Sequence, residues 1–142
     1  GIIHVKGNTS QSAGATAHGG TIIIDGNASS RCGISMKGVD IIVKGSVGHM
    51  SAFMAQAGTL MICGDAGDAL GDSIYETVIY MAGKPKSLGV DCIEKKITKK
   101  DLKKIENLIK TGNVKKLKPH NFKKFGSARK LYNFNIDNVS EY

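Results

Sequence analysis

The 142-residue chain has no tryptophan, only two prolines and three cysteines, and no apolar run near the ~20 residues that a membrane-spanning helix requires. Each scarcity removes a class of protein. The missing apolar run argues against a helical membrane protein, and no charged-then-apolar leader opens the chain, so a soluble cytoplasmic domain is expected. The chain begins at Gly1, directly in an apolar segment, which suggests processing or a start lying upstream. Cys32, Cys63 and Cys92 are odd in number and far apart, which fits free thiols in a reducing compartment better than a disulfide scaffold or a zinc site.

Cations are scarce in one half only. Residues 1–82 carry 4 Lys/Arg against 6 Asp/Glu, a net of −2, whereas residues 83–142 carry 16 against 6, a net of +10. Glycine is divided the opposite way, with 14 before residue 83 and 4 from there on. Two compositional regimes follow, with a boundary near Gly83–Gly89; the domains expected are a β-helix repeat over residues 1–93 and a capping helix with an extended tail over residues 94–142.

What the first regime has in abundance is periodicity. Gly7, Gly26, Gly45, Gly64 and Gly83 each close an apolar run, 19 residues apart. Seven positions further on stand Gly14, Gly33 and Gly71, with Ala52 in that place in the third copy. Four residues before each repeat glycine are Ile3, Ile22, Ile41, Leu60 and Ile79; two before it are Val5, Ile24, Val43, Ile62 and Met81. Residues two apart on a strand share a face, so these form two inward columns. Asn8, Asn27, Ser46 and Asp65 follow the glycine as turn residues, and Thr9, Ala28, Val47 and Ala66 are small enough for a corner. Short β-branched runs broken by glycine do not make helices. They predict an all-β fold, a parallel β-helix of five 19-residue coils, with glycine at corners that need positive φ.

The column between the inward ones holds His4, Ile23, Ile42, Met61 and Tyr80. By alternation it faces outward, yet four of the five residues are largely apolar, so something covers that face. Either the chain's own C-terminal segment does so, or Ile23, Ile42, Met61 and Tyr80 dock a partner subunit. The segment ITKKDLKKIENLIKTG predicts one capping helix. Thr98 is its N-cap with Asp101 three residues on, Leu102, Ile105, Leu108 and Ile109 form its apolar stripe, and Gly112 ends it. Beyond Pro119, the residues Phe122, Phe125, Leu131, Tyr132 and Phe134 make a tail that packs on the solenoid or on a partner.

Motifs for chemistry are absent. There is no GxxxxGK[ST] phosphate loop, and the glycines lead into further strands rather than into a nucleotide-binding helix. His4, His18, His49 and His120 are scattered, with no HExxH, and none sits beside a cysteine. Asp65, Asp68 and Asp72 resemble a calcium loop only faintly, and a solvated turn accounts for them better. The basic half is compatible with nucleic-acid binding. Its cations are lysines on a helix that already has a capping role, which favours a solvated or partner-facing surface, or one that steers an anionic substrate.

The repeat with its GNA, GSVG and GDAG corners, followed by SLGVDCIEKKIT and FGSARKLYNF, resembles the GXGXG domain that ends the large (alpha) subunit of glutamate synthase. It is similar to small proteins carrying that domain alone: separate archaeal glutamate synthase subunits, the C subunit of N-methylglutamate synthase and, more distantly, that of formylmethanofuran dehydrogenase. The resemblance implies a right-handed parallel β-helix. It implies a non-catalytic structural or assembly subunit for glutamate biosynthesis, with no activity alone and no cofactor of its own. FMN and an iron–sulfur cluster belong to a barrel partner and ammonia release to a glutaminase partner, and a homo-oligomer is also compatible. No catalytic residue of the family maps onto this chain. The resemblance implies that longer relatives carry coils upstream of the position matching Gly1, and Ala52 stands where the motif has glycine.

Overall fold

A computed structural model describes residues 1–129 of the chain. The glycine period becomes a stack. Five strands, β1 (Ile2–Val5), β2 (Thr21–Ile24), β3 (Lys37–Val43), β4 (Ala57–Ile62) and β5 (Val78–Met81), pair in parallel in chain order. The register is the repeat: Ile3 faces Ile22, Ile22 faces Ile41, Ile41 faces Leu60 and Leu60 faces Ile79. The fold is therefore a parallel β-solenoid, and five parallel strands enclose four turns of chain rather than five complete coils.

The inward columns pack as predicted from the second coil onward, whereas Ile3 in the first coil is exposed, because no coil lies beyond β1 to cover it among the described residues. Ile24, Ile41, Val43, Leu60, Ile62, Ile79 and Met81 are fully buried in one core with Met36, Leu70 and Ile74. Ala28, Val47 and Ala66 fill the corner beside them, and single parallel bridges join Thr9 to Ala28 and Val47 to Ala66.

The second glycine of the repeat, at Gly14, Gly33 and Gly71, has the expected positive φ, but the first serves a different purpose. Gly26, Gly45, Gly64 and Gly83 do not have positive φ. Each donates its N–H to the carbonyl of the glycine one coil earlier, at 2.9, 3.0, 2.8 and 3.0 Å. In the same place, Asn8 Oδ1 accepts from the Asn27 N–H, Asn27 Oδ1 from Ser46, Ser46 Oγ from Asp65 and Asp65 Oδ1 from Lys84, at 2.7 to 2.9 Å. A Cβ on any of these glycines would overlap both the acceptor oxygen and the glycine carbonyl below it. Glycine is required by close approach. A Cβ on Gly7, in the first coil, would meet nothing.

Positive φ appears elsewhere in each coil, at three alternate positions. The first set is Ser12, Arg31, Met50 and Ala69; the second is Gly14, Gly33, Ala52 and Gly71; the third is Thr16, Ser35, Met54 and Ser73. Non-glycine residues tolerate this conformation only where the surroundings over-determine it. Here the inter-coil ladder does so: Arg31, Ser35, Met50 and Met54 donate to the next coil (2.9 Å each), and Gly33, Ala52 and Gly71 to the previous one (2.7 to 2.9 Å). The middle set faces the core, where a Cβ would press on the Met36 sulfur at Gly33 and on the Cys92 sulfur at Gly71. Ala52 fits this position fully buried at φ 60°, so the departure from glycine in the third coil is accommodated.

The stack does not go on repeating past β5. A sixth parallel rung would begin near residue 97, but β6 (Cys92–Lys95) arrives early, and β7 (Lys123–Ser127) lies between β5 and β6, antiparallel to both. The expected domain boundary at residues 93/94 thus falls within a strand. Between β6 and β7 runs α1 (Lys99–Gly112), capped by Thr98 and Asp101 in the predicted capping box. Its left-handed terminal residue is Asn113 rather than Gly112, which is buried against Ile42. A short 3₁₀ turn, Pro119–Asn121, leads into β7. Phe122 and Phe125 are buried; Leu131, Tyr132 and Phe134 lie outside the described residues.

Gly45→Ala is expected to cost about 2 kcal/mol or more, because backbone and ladder must both shift, whereas Ala52→Gly should change stability by less than about 1 kcal/mol. Urea unfolding midpoints of the two variants test the distinction.

Candidate functional site

The outward stripe is not open. Ile23, Ile42, Met61 and Tyr80 are each at most 4% exposed, in a second core with Ile105 and Leu108 of α1 and with Phe122. Of the two coverings the sequence allowed, the chain's own C-terminal segment occupies the face, so these four residues are not available for a partner. The physical reason is the amphipathic helix, whose Ile105, Leu108 and Gly112 turn inward along the stripe. Where α1 does not reach, the same face becomes polar: His4 Nε2 lies 2.8 Å and Lys44 Nζ 3.0 Å from Asp25 Oδ1. Hydrogen bonds from His4 and Lys44 hold the Asp25 carboxyl below its ordinary range.

A polar knot locks α1 to the sheet. The Tyr80 hydroxyl donates to Asp101 Oδ1, while Asp101 Oδ2 accepts from the Thr98 N–H (2.7 Å), the Thr98 hydroxyl (2.9 Å) and Lys124 Nζ (3.0 Å). Burial alone would raise the Asp101 carboxyl, but the bonds from Tyr80, Thr98 and Lys124 outweigh it and bring it from 3.8 down to about 2. Burial and the neighbouring carboxylate push the Tyr80 phenol upward. Strand β5, helix α1 and strand β7 thus meet at one carboxylate. Sequence reading found Asp101 as a capping residue and missed its inner role, because Lys124 is 23 residues away and no local pattern links them.

The remaining chemistry-bearing residues do not converge. Asp65 accepts from the Lys84 N–H, Asp68 from the Ser87 hydroxyl, and Asp72 from the Ser73 hydroxyl and the Val90 N–H, so each carboxylate is used within the stack. Among the described residues, no group of three His, Cys, Asp or Glu side chains could hold a metal ion. Burial raises the Cys32 thiol to about 12 and those of Cys63 and Cys92 to about 11. All three are free. Thiols held so high are poor nucleophiles at neutral pH. No helix of the described residues is long and apolar enough to cross a membrane.

Two surface features lie outside these accounts. At the first coil, Ile2 and Ile3 are over 60% exposed on the unpaired edge of β1, beside a cavity of about 590 Å³ lined by Ala15–Ile22 and Val39. On α1, Leu102 is 37% exposed, unlike the rest of the predicted apolar stripe. It lines an open groove of about 350 Å³ with Lys103, Glu106, Pro119 and His120.

Residues 3–137 match the GXGXG motif family, and the chain belongs to it. Among curated proteins, the chain is 57% identical over 96 residues to Protein GlxC of Rhizobium meliloti (strain 1021), a match covering 68% of this chain and 42% of that protein. The match therefore spans less than half the length of this relative. No solved structure matches the chain.

Three outcomes are expected. Ile42→Asp should destabilise the fold by several kcal/mol, as Ile41→Asp should, because both bury an unpaired charge; a variant that melts like the wild type would mean that α1 does not sit on the stripe. Asp101 is ionised above pH 4 and protonates in the unfolded chain before the folded one. Wild type should therefore lose about 2 kcal/mol between pH 4 and pH 2 that Asp101→Asn does not lose over the same range, as read from urea curves. Thiol titration at pH 8 should find no fast-reacting cysteine in the native chain and three in denaturant.

Proposed function

We propose that the chain is a structural β-solenoid of a glutamate synthase-type complex, where it holds catalytic parts in relation to one another and performs no chemistry itself. The observation that carries this reading is membership of the GXGXG family across nearly the whole chain, reinforced by 57% identity to Protein GlxC. A second line of support is the use the fold makes of its polar residues. The carboxylates of Asp25, Asp65 and Asp101 are bonded within the scaffold, and the thiols are held protonated by burial.

In this reading, ammonia from a glutaminase and electrons from an FMN and iron–sulfur barrel meet on partner subunits in the cytoplasm. The solenoid, stiffened by a hydrogen-bond ladder through every coil, sets the spacing between them. Its cofactors are those of its partners. Subunits of N-methylglutamate synthase or formylmethanofuran dehydrogenase are the neighbouring versions of the same role, and the co-purifying partners tell them apart.

The test is purification of the tagged chain from its own cells at moderate salt. An FMN-containing barrel subunit and a glutaminase are expected in fixed ratio to the chain. Recovery of the chain alone, or with nucleic acid that salt removes, overturns the proposal. So does turnover of glutamine or 2-oxoglutarate by the isolated chain.

A further inference from the structure

We infer that the solvent face of α1, with the groove beside it, is the surface through which the solenoid grips an acidic protein partner. The inference rests on the structural role proposed above and says which face performs it. Residues 95–124 contain twelve lysines and two acids, Asp101 and Glu106. Among the described residues, Lys124 pairs with Asp101 at 3.0 Å and Lys104 with Asp40 at 2.8 Å, and no other lysine of the segment has an acidic partner. The acids nearest the helix are thereby consumed. Lys99, Lys103, Glu106 and Lys110 follow one another at spacings of four, three and four along one helical face, all exposed, so the row holds three lysines and one acid.

Charge alone would not select a protein partner. The groove supplies the second observation, because it places the apolar Leu102 and Pro119 next to the lysine row. Leu102 and Pro119 line the groove together with Lys103, Glu106 and His120. Leu102 should turn inward by helical periodicity, yet it stays 37% exposed beside the inward-facing Ile105 and Leu108. Apolar side chains bordered by polar ones are how protein interfaces are built. The complementary surface is a segment that presents an apolar side chain flanked by carboxylates.

The face is also rigid. The capping box, the Tyr80–Asp101–Lys124 knot and the Lys104–Asp40 pair fix α1 on the sheet, so docking orders little more than lysine side chains. Nucleic acid fits less well. Among the described residues the face carries lysine and no arginine, so it lacks the fork that reads phosphate and guanine, and it exposes no Phe, Tyr or Trp on which a base could stack.

The experiment is zero-length carbodiimide cross-linking of the complex purified on the tagged chain, with peptide mapping. Cross-links are expected from Lys99, Lys103, Lys110 or Lys118 to Asp and Glu side chains of the glutaminase or the FMN-barrel subunit. The variant Lys99→Glu/Lys103→Glu/Lys110→Glu, and separately Leu102→Asp, should each lower the retained partner about tenfold or more while leaving the far-ultraviolet circular dichroism unchanged. A complex that forms with its cross-links elsewhere on the chain, or that survives the triple reversal, overturns this inference and leaves the structural role standing. Retention that nuclease treatment abolishes overturns it in favour of nucleic acid. If no complex forms at all, the structural role falls and takes this inference with it.

Discussion

The molecule depends on one contact repeated up its stack: a side-chain oxygen in one coil accepting the N–H of the next coil's equivalent residue. Asn8, Asn27, Ser46 and Asp65 provide the oxygen, and the glycine beside each recipient leaves the space that oxygen occupies. The glycine and the polar residue are therefore one device. An alanine at Gly45 would push the Asn27 oxygen away, and the Ser46 N–H would lose its partner. Because the contact recurs every 19 residues, it holds each coil in register with its neighbours, and the register in turn stacks Ile22, Ile41, Leu60 and Ile79 into one column.

That regularity creates an obligation on the opposite face. The β-branched and long apolar residues that make good strands leave Ile23, Ile42, Met61 and Tyr80 pointing out of the coil, where water would surround them. Covering them with α1 removes four large side chains from solvent, each worth on the order of 2 kcal/mol. The cover is anchored at both ends of its chemistry, by an apolar stripe and by Asp101. The carboxylate is well satisfied because a tyrosine, a lysine and the cap of its own helix all donate to it. The energetic consequence is that solenoid and helix unfold together.

The stack was legible in the sequence because its determinants are local and repeated. A 19-residue glycine period and two apolar columns can be read without geometry, and so can the Thr98 cap. The reason for the glycines could not. It lies in contact between coils, and a sequence shows glycine but not the oxygen that excludes a Cβ. Strand β7 was missed for a related cause. KKFGS carries one large apolar residue, and it becomes a strand because β5 presents an unpaired edge, a tertiary circumstance that overrides weak propensity. Leu102 was misplaced inward because helical periodicity identifies a face and not how far the neighbouring loop leaves it covered. The open alternative for the outward stripe, own tail or partner, was decided by packing that no spacing rule contains.

The antiparallel insertion of β7 bears on how such a chain is made. Each coil of the solenoid rests on the coil 19 residues earlier, so the stack can grow in step with synthesis, one rung after another. The last rung is different. Ile79 pairs with Phe125 and Cys92 with Ser127, so β5 keeps a bare edge until some forty-six further residues have left the ribosome. The lysine-rich segment fills that interval. Its charge keeps the emerging chain hydrated while a sticky strand edge waits for its closing partner.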